Sequence, residues 1–288
     1  MIEAHAGRMK KSEACRVLGV RRQGYYEWKA RVETRPVRHR QDEVLTVKIE
    51  NIFYESKRLY GARKIQRLLR REGWDIGRKR IRRLMCQAGL VPITFRRHKT
   101  TTDSKHSLPV FPNLLNQKFK AEAVNRVWVS DFTYIRTDEG WLYLCCILDI
   151  YSRRVVGWAA SETIDRHLGI AALEKAVNSR RPGRGFIFHT DRGSQYASSD
   201  FRNAVANRGG LQSMSGYGNP YDNACAESFF RSLKMECVDP THFSSRKRAM
   251  DAIAQYMLFY NRRRIHASLD YRSPVDFENA WGSIEVAS

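Results

Sequence analysis

Phe186-Ile187-Phe188-His189-Thr190-Asp191-Arg192-Gly193-Ser194-Gln195-Tyr196 is an apolar run that closes on an acid and a glycine. That is the pattern of a buried strand delivering a carboxylate to a sheet edge before the chain turns. Downstream, Ser215-Gly216-Tyr217-Gly218-Asn219-Pro220-Tyr221-Asp222-Asn223-Ala224-Cys225-Ala226-Glu227 reads as a Gly/Asn/Pro loop feeding a helix, with Glu227 in its second turn. Thirty-five residues separate Asp191 from Glu227. Upstream, Val127-Trp128-Val129-Ser130-Asp131-Phe132-Thr133-Tyr134-Ile135 is a β-rich run centred on a third acid. Two strand carboxylates and one helix carboxylate suit hard divalent cations, which take oxygen ligands.

The 288 residues, 42% hydrophobic and 28% charged, allow one sizeable core and one or two small domains. Net charge is +21 and unevenly spread. Residues 1–120 hold 30 Lys/Arg against 11 Asp/Glu, whereas residues 121–288 hold 21 against 19. The first part therefore reads as a region for a polyanion, nucleic acid first, and the second as the place for acid-dependent chemistry. Six scattered cysteines form no CxxC pair, so a zinc finger is not indicated. With no signal peptide and no apolar run near twenty residues, the expectation is a cytoplasmic chain with reduced thiols and no membrane partner.

From the N-terminus, residues 12–28 read as a short helix capped by Ser12, a Gly19 turn and a second helix. This pair is either a small helix-turn-helix or a helical hairpin docking on the next domain. Residues 31–41 are polar and basic and read as a linker. An amphipathic helix is expected at 42–57, with Val44, Leu45, Val47, Ile49, Ile52 and Phe53 as its apolar set. Helices at 62–72 and 78–88 flank a turn at 73–77, again with helix-turn-helix spacing. The last of these carries Arg78, Lys79, Arg80, Arg82 and Arg83, which cannot all face a core; they read as contacts to DNA phosphates and a guanine edge, the alternative being a solvated basic face with no groove contact. Residues 92–120 read as a basic linker.

After residue 125 the pattern predicts strands at 127–135, 142–150 and 153–160, a helix at 165–179, a strand at 186–190 and a helix near 198–208. A short strand near 211–215 and a helix from about 222 to 236 complete an α/β layout with helices on both sheet faces. On the last helix Ala226, Phe230, Leu233 and Cys237 form the buried stripe. Asn223, Glu227, Arg231 and Lys234 form the stripe beside it, which puts Arg231 and Lys234 where they can hold a DNA backbone. His189 and Gln195 are read either as structural or as touching metal-bound water or DNA. Asn219, Asp222 and Asn223 are expected to shape the loop and cap the helix, and Asp149 to pair with Arg153. Near the end, Tyr256 and Phe259 are expected to pack, and DNA contacts are expected from among Arg262, Arg263 and Arg264.

Taken together these blocks resemble the insertion-sequence transposases of family three, in the product of their second reading frame (OrfB). The resemblance rests on Trp128 … Asp131-Phe132-Thr133-Tyr134, His189-Thr190-Asp191-Arg192-Gly193-Ser194-Gln195-Tyr196, Asp222-Asn223-Ala224 … Glu227-Ser228-Phe229-Phe230 and Tyr260-Asn261 … Arg264 … His266 … Leu269 … Ser273-Pro274. Tyr60-Gly61 … Gly73-Trp74 … Lys79-Arg80 … Leu84-Met85 adds a helix-turn-helix block. It implies a ribonuclease-H-like, integrase-like catalytic core with an N-terminal all-α helix-turn-helix region. The expected domains are 1–35, 36–91, a basic linker 92–122, a core 123–240 and a helical, basic extension 241–288. It implies that Asp131, Asp191 and Glu227 are both the catalytic residues and the metal ligands, holding two Mg²⁺ ions, with Mn²⁺ as a substitute. The implied activity is phosphodiester hydrolysis followed by 3′-OH strand transfer; a nuclease of the same fold and a non-catalytic DNA-binding regulator are the alternatives. Implied partners are double-stranded DNA, further copies of the chain, and the product of an upstream reading frame. The implied location is the bacterial cytoplasm, at the nucleoid.

Overall fold

The computed structural model describes residues 10–93, 111–115, 121–216 and 223–285. The chain divides into two units, residues 1–92 and 93–288.

The first unit is helical: α1 (Lys11–Val17), α2 (Arg22–Glu55), α3 (Ala62–Arg71) and α4 (Arg78–Gln87). Leu45, Ile49 and Phe53 of α2 meet Ile65 and Leu69 of α3 and Ile81, Leu84 and Met85 of α4 in a small core. Each such burial is worth roughly 1.5–3 kcal/mol. Val44 and Val47, expected inside, are 53% and 56% exposed, because the i, i+4, i+8 stripe of Leu45, Ile49 and Phe53 already fills the contact. The expected linker at 31–41 is instead part of α2, which runs unbroken for 34 residues through the 35/36 boundary. Its polarity reflects a solvated helix, braced by local contacts such as Gln23 to Glu27 and His39 to Glu43. Helix α1 begins one residue before Ser12, with Lys10 at its N-cap and no side-chain cap.

The second unit is built on a five-stranded sheet: β1 (Val127–Thr137), β2 (Gly140–Asp149), β3 (Val155–Ser161), β4 (Ile187–Thr190) and β5 (Leu211–Met214). Their order is β3-β2-β1-β4-β5. The first three strands are antiparallel neighbours, while β4 and β5 run parallel to β1. Helices α5 (Arg166–Arg180), α6 (Ser194–Ala197) and α7 (Ser199–Asn207) connect these strands. Strand alternation sorts the two faces. Trp128, Cys145, Ile147 and Ala159 join Leu168, Ala172 and Phe201 in one cluster. Val129, Ile135, Leu144, Cys146 and Leu148 point the other way and are equally buried. That second face is covered by α8 (Ala224–Leu233) and α9 (Arg246–Arg262), which pack on β1 to β3.

Helix α5 lies so close to β3 that only glycine fits at 157. A Cβ there would stand 2.5 Å from the Ala172 carbonyl oxygen and 2.7 Å from the Ala176 Cβ. The segment after residue 240, expected as an extension, contributes to this unit directly. Helix α10 (Pro274–Glu285) sends Glu278 back to Arg154 and Arg180, and Asn261 hydrogen-bonds both backbone groups of Val155.

Candidate catalytic site

Strand register brings the first two acids together. Strands β1 and β4 pair in parallel up to Val129↔His189. Two residues beyond that pair, where the ladder ends, lie Asp131 and Asp191. The third acid arrives on α8. Asn223, at its N-cap, does not cap the helix as expected; its Nδ2 donates instead to the Ser130 carbonyl at 3.3 Å. That bond fixes the start of α8 beside Asp131, and Glu227 follows one turn later.

Local hydrogen bonds hold the carboxylates. Asp131 Oδ1 accepts from its neighbour's Phe132 N–H at 2.7 Å, and Asp191 Oδ1 accepts from Gly193 N–H at 2.9 Å. Burial pushes the Asp131 carboxyl well above the usual range. The Asp191 and Glu227 charges push it further, while the Phe132 N–H and Lys234 act against them. The Glu227 carboxyl is also raised by burial, with Arg231 opposing. A raised pair of acids beside a third is a like-charge cluster that a cation relieves. Asn223 adds an oxygen beside Asp131: its Oδ1 is buried and has no hydrogen-bond partner among the described residues. Carboxylates and an amide oxygen fit a hard divalent ion in donor chemistry. Among the described residues no three His, Cys, Asp or Glu side chains are already drawn into an ion cage.

The remaining expected residues divide. His189 is fully buried, with Nδ1 2.8 Å from Ser213 Oγ and Nε2 3.3 Å from Ser215 Oγ, so its role is to join β4 to β5. Asp149 does not pair with Arg153. Its buried carboxylate accepts the backbone N–H groups of Asn125, Tyr151 and Ser152, which suit a strand end better than a long side chain would. Arg231 is exposed and Lys234 half-buried on the Glu227 side of α8.

Arg264 is not a surface DNA contact. It is buried against Glu236 with an Nη2–Oε1 distance of 2.6 Å, because Glu236 is itself 98% covered and requires a cation. Tyr256 donates to the same carboxylate. Arg262 and Arg263 remain exposed. In the first unit Arg78, Lys79 and Arg82 are exposed, whereas Arg80 and Arg83 both bind Asp42, at 2.7 and 2.6 Å. Asn219 and Asp222, like most of the 92–122 linker, lie outside the described residues.

One feature of the rim is absent from the sequence expectations. Tyr134 and Trp141, 49% and 45% exposed, meet edge to face at 5.2 Å, and Lys234 Nζ stands 4.7 Å from the Tyr134 ring centroid. Two exposed aromatics on adjoining strands, diagonal across a hairpin, were the available signal.

Comparison with known proteins places the chain among insertion-element transposases with an integrase core. Integrase core domain models match residues 121–220 and 209–274, and an HTH-like domain model matches residues 39–99. The chain is 39% identical to the "Transposase InsF for insertion sequence IS3A" of Escherichia coli (strain K12), over 96% of this chain and 97% of that protein. It is 42% identical to the "Insertion element IS600 uncharacterized 31 kDa protein" of Shigella sonnei, over 93% and 98%. The "Transposase for insertion sequence element IS904" of Lactococcus lactis subsp. lactis (strain IL1403) is 42% identical over 82% and 94%. Among solved structures, a simian T-cell lymphotropic virus intasome chain aligns with a TM-score of 0.49 at 17% identity, covering 61% of this chain and 60% of that one.

Proposed function

Because this chain belongs to the insertion-element transposase family of InsF, DDE-type polynucleotidyl transferases with an integrase core, we propose that Asp131, Asp191 and Glu227 are its catalytic acids. The observation that carries this reading is convergence: Asp131 on β1 has Asp191, just past β4, and Glu227, on α8, within electrostatic reach, although the three come from distant parts of the chain. The three carboxylates would hold divalent cations, two Mg²⁺ or Mn²⁺ in their place. Bound there, such ions would activate a hydroxyl nucleophile and stabilise the leaving 3′-oxygen.

The other groups serve to bind and orient. Lys234 stands within electrostatic reach of Asp131 and, with Arg231, is placed to hold a DNA phosphate next to the acids. Arg78, Lys79 and Arg82 offer three more phosphate contacts in the helical unit. Double-stranded DNA, as element ends and as target, is the proposed substrate. The acting form is an oligomer on DNA, joined by the product of an upstream reading frame, and the place of action is the cytoplasm at the nucleoid. No described helix is long and apolar enough to cross a membrane.

The test uses labelled element-end duplex, Mg²⁺ and the Asp191→Asn variant. Cleavage and strand joining are expected to fall roughly 100- to 1,000-fold or more, with duplex affinity within about twofold of the parent. Undiminished cleavage by that variant would remove the assignment. Cleavage by the parent chain with no joined product would make it a nuclease instead.

A further inference from the structure

We propose that the cleft on the far side of α8 from Glu227 is a phosphate-binding site. This cleft has a volume of about 470 Å³ and lies between α8, the turn before β3 and the segment after α9. At 100° per residue, Cys225, Ser228 and Ser232 face it, while Glu227, Arg231 and Lys234 face the acids. The inference therefore goes beyond the catalytic reading and stands without it.

Charge bookkeeping in the cleft leaves one cation over. Arg264 lines the wall, but Glu236 already neutralises it. Arg153 has no carboxylate partner among the described residues; its guanidinium donates to the Cys225 thiol. A thiol is a weak acceptor and leaves most of the five donors of an arginine unused. The nearby carboxylate of Asp149 is occupied by backbone N–H groups. Neighbouring Arg154 shows the contrast, since it is paired with Glu278. A half-buried guanidinium without a counter-charge calls for an anion.

The other polar groups select the type of anion. The hydroxyls of Ser228 and Ser268 open on the same cleft and make no side-chain hydrogen bond within the described chain. With Arg153 they bring donors from three separate segments, which matches a tetrahedral oxyanion better than a planar carboxylate. The aromatic edge of the cleft, His266 against Tyr260 at 4.8 Å, gives room for a sugar or base beside that phosphate. The shared chemistry is thus a phosphate group, carried by a nucleic-acid strand or free in solution.

The experiment uses the full chain. Thermal unfolding is followed in sodium phosphate and in sodium chloride of equal ionic strength, for the parent, Arg153→Gln and Asp191→Asn. For a site of about 1 mM affinity, about 20 mM phosphate is expected to raise the Tm of the parent by roughly 3 °C. Asp191→Asn should keep that shift and Arg153→Gln should lose it. Because the readout needs neither cleavage nor metal, its failure leaves the catalytic acids untouched, and theirs leaves it untouched. A second arm measures the affinity of a short single strand with and without a 5′-phosphate. A loss of about fivefold or more in Arg153→Gln assigns the site to strand phosphates, and unchanged strand affinity with a lost thermal shift assigns it to the free anion. Equal phosphate shifts in parent and Arg153→Gln overturn the proposal. Should that variant fail to fold, the Ser228→Ala/Ser268→Ala double variant takes its place: a reduced shift supports the site, and a parental one overturns it.

Discussion

Arg78–Arg83 and Arg262–Arg264 are both dense runs of cations, and the fold treats them in opposite ways. In α4 the run lies along a solvated helix; Asp42 takes Arg80 and Arg83 at its half-buried edge, and Arg78, Lys79 and Arg82 stay exposed. At the end of α9 the last arginine turns inward onto Glu236, whose carboxylate is buried with Tyr256 and Ser232 around the pair. What separates the two runs is the position of the nearest carboxylate. An acid at the surface borrows an arginine, whereas an acid in the core captures one, since an unpaired buried charge is far more costly than an exposed one.

The sharpest way to break this contrast is Arg264→Ala. It strands the Glu236 charge, and the expected loss of stability is about 3–5 kcal/mol, read by chemical denaturation. Asp42→Asn comes next, with an expected loss of about 1 kcal/mol. Its pH dependence gives an independent check. Burial alone would raise the Asp42 carboxyl, but hydrogen bonds from Arg83 and Arg80, and their charges, hold it below the usual range. A depressed acid contributes stability that is full above its unfolded value, about 3.9, and is lost as pH falls through the lower folded value. The gap between parent and Asp42→Asn should thus be constant above about pH 5 and close as the solution becomes more acidic than about pH 4. A gap that stays open in acid would mean that Asp42 acts through shape and not charge. Arg82→Ala should change stability least, by under about 0.5 kcal/mol. It should weaken duplex binding across all sequences and reduce the salt slope by about 1. Equal destabilisation by Arg82→Ala and Arg264→Ala would erase the distinction between the runs.

The same contrast explains what is legible in the sequence. The strands around Asp131 and Asp191 are legible because a sheet buried on both faces demands nearly continuous apolar runs, and the acids interrupt them. The apolar stripe is legible from its helical spacing as far as Ala226, Phe230 and Leu233, which are buried; Cys237, in the wider turn after α8, is only half-buried. Arg264 is not, because one arginine in a basic run carries no mark of the acid that will meet it twenty-eight residues back along the chain. Asn223 misleads for a similar reason. Its place before a helix suggests a cap, but the Ser130 carbonyl it binds is ninety-three residues away. The segment 31–41 resembles a linker in its polar, basic composition. Polarity on all sides also describes a helix standing in water.

That helix has a mechanical consequence. Thirty-four residues at 1.5 Å each make α2 a rod about 50 Å long, comparable to about fifteen base pairs of duplex. Helix α1 packs near one end, and α3 and α4 near the other. A flexible tether would let the two ends search for their contacts independently. A continuous helix sets their phase instead: one residue inserted between them would swing α1 around the axis by about 100° and push it about 1.5 Å outward.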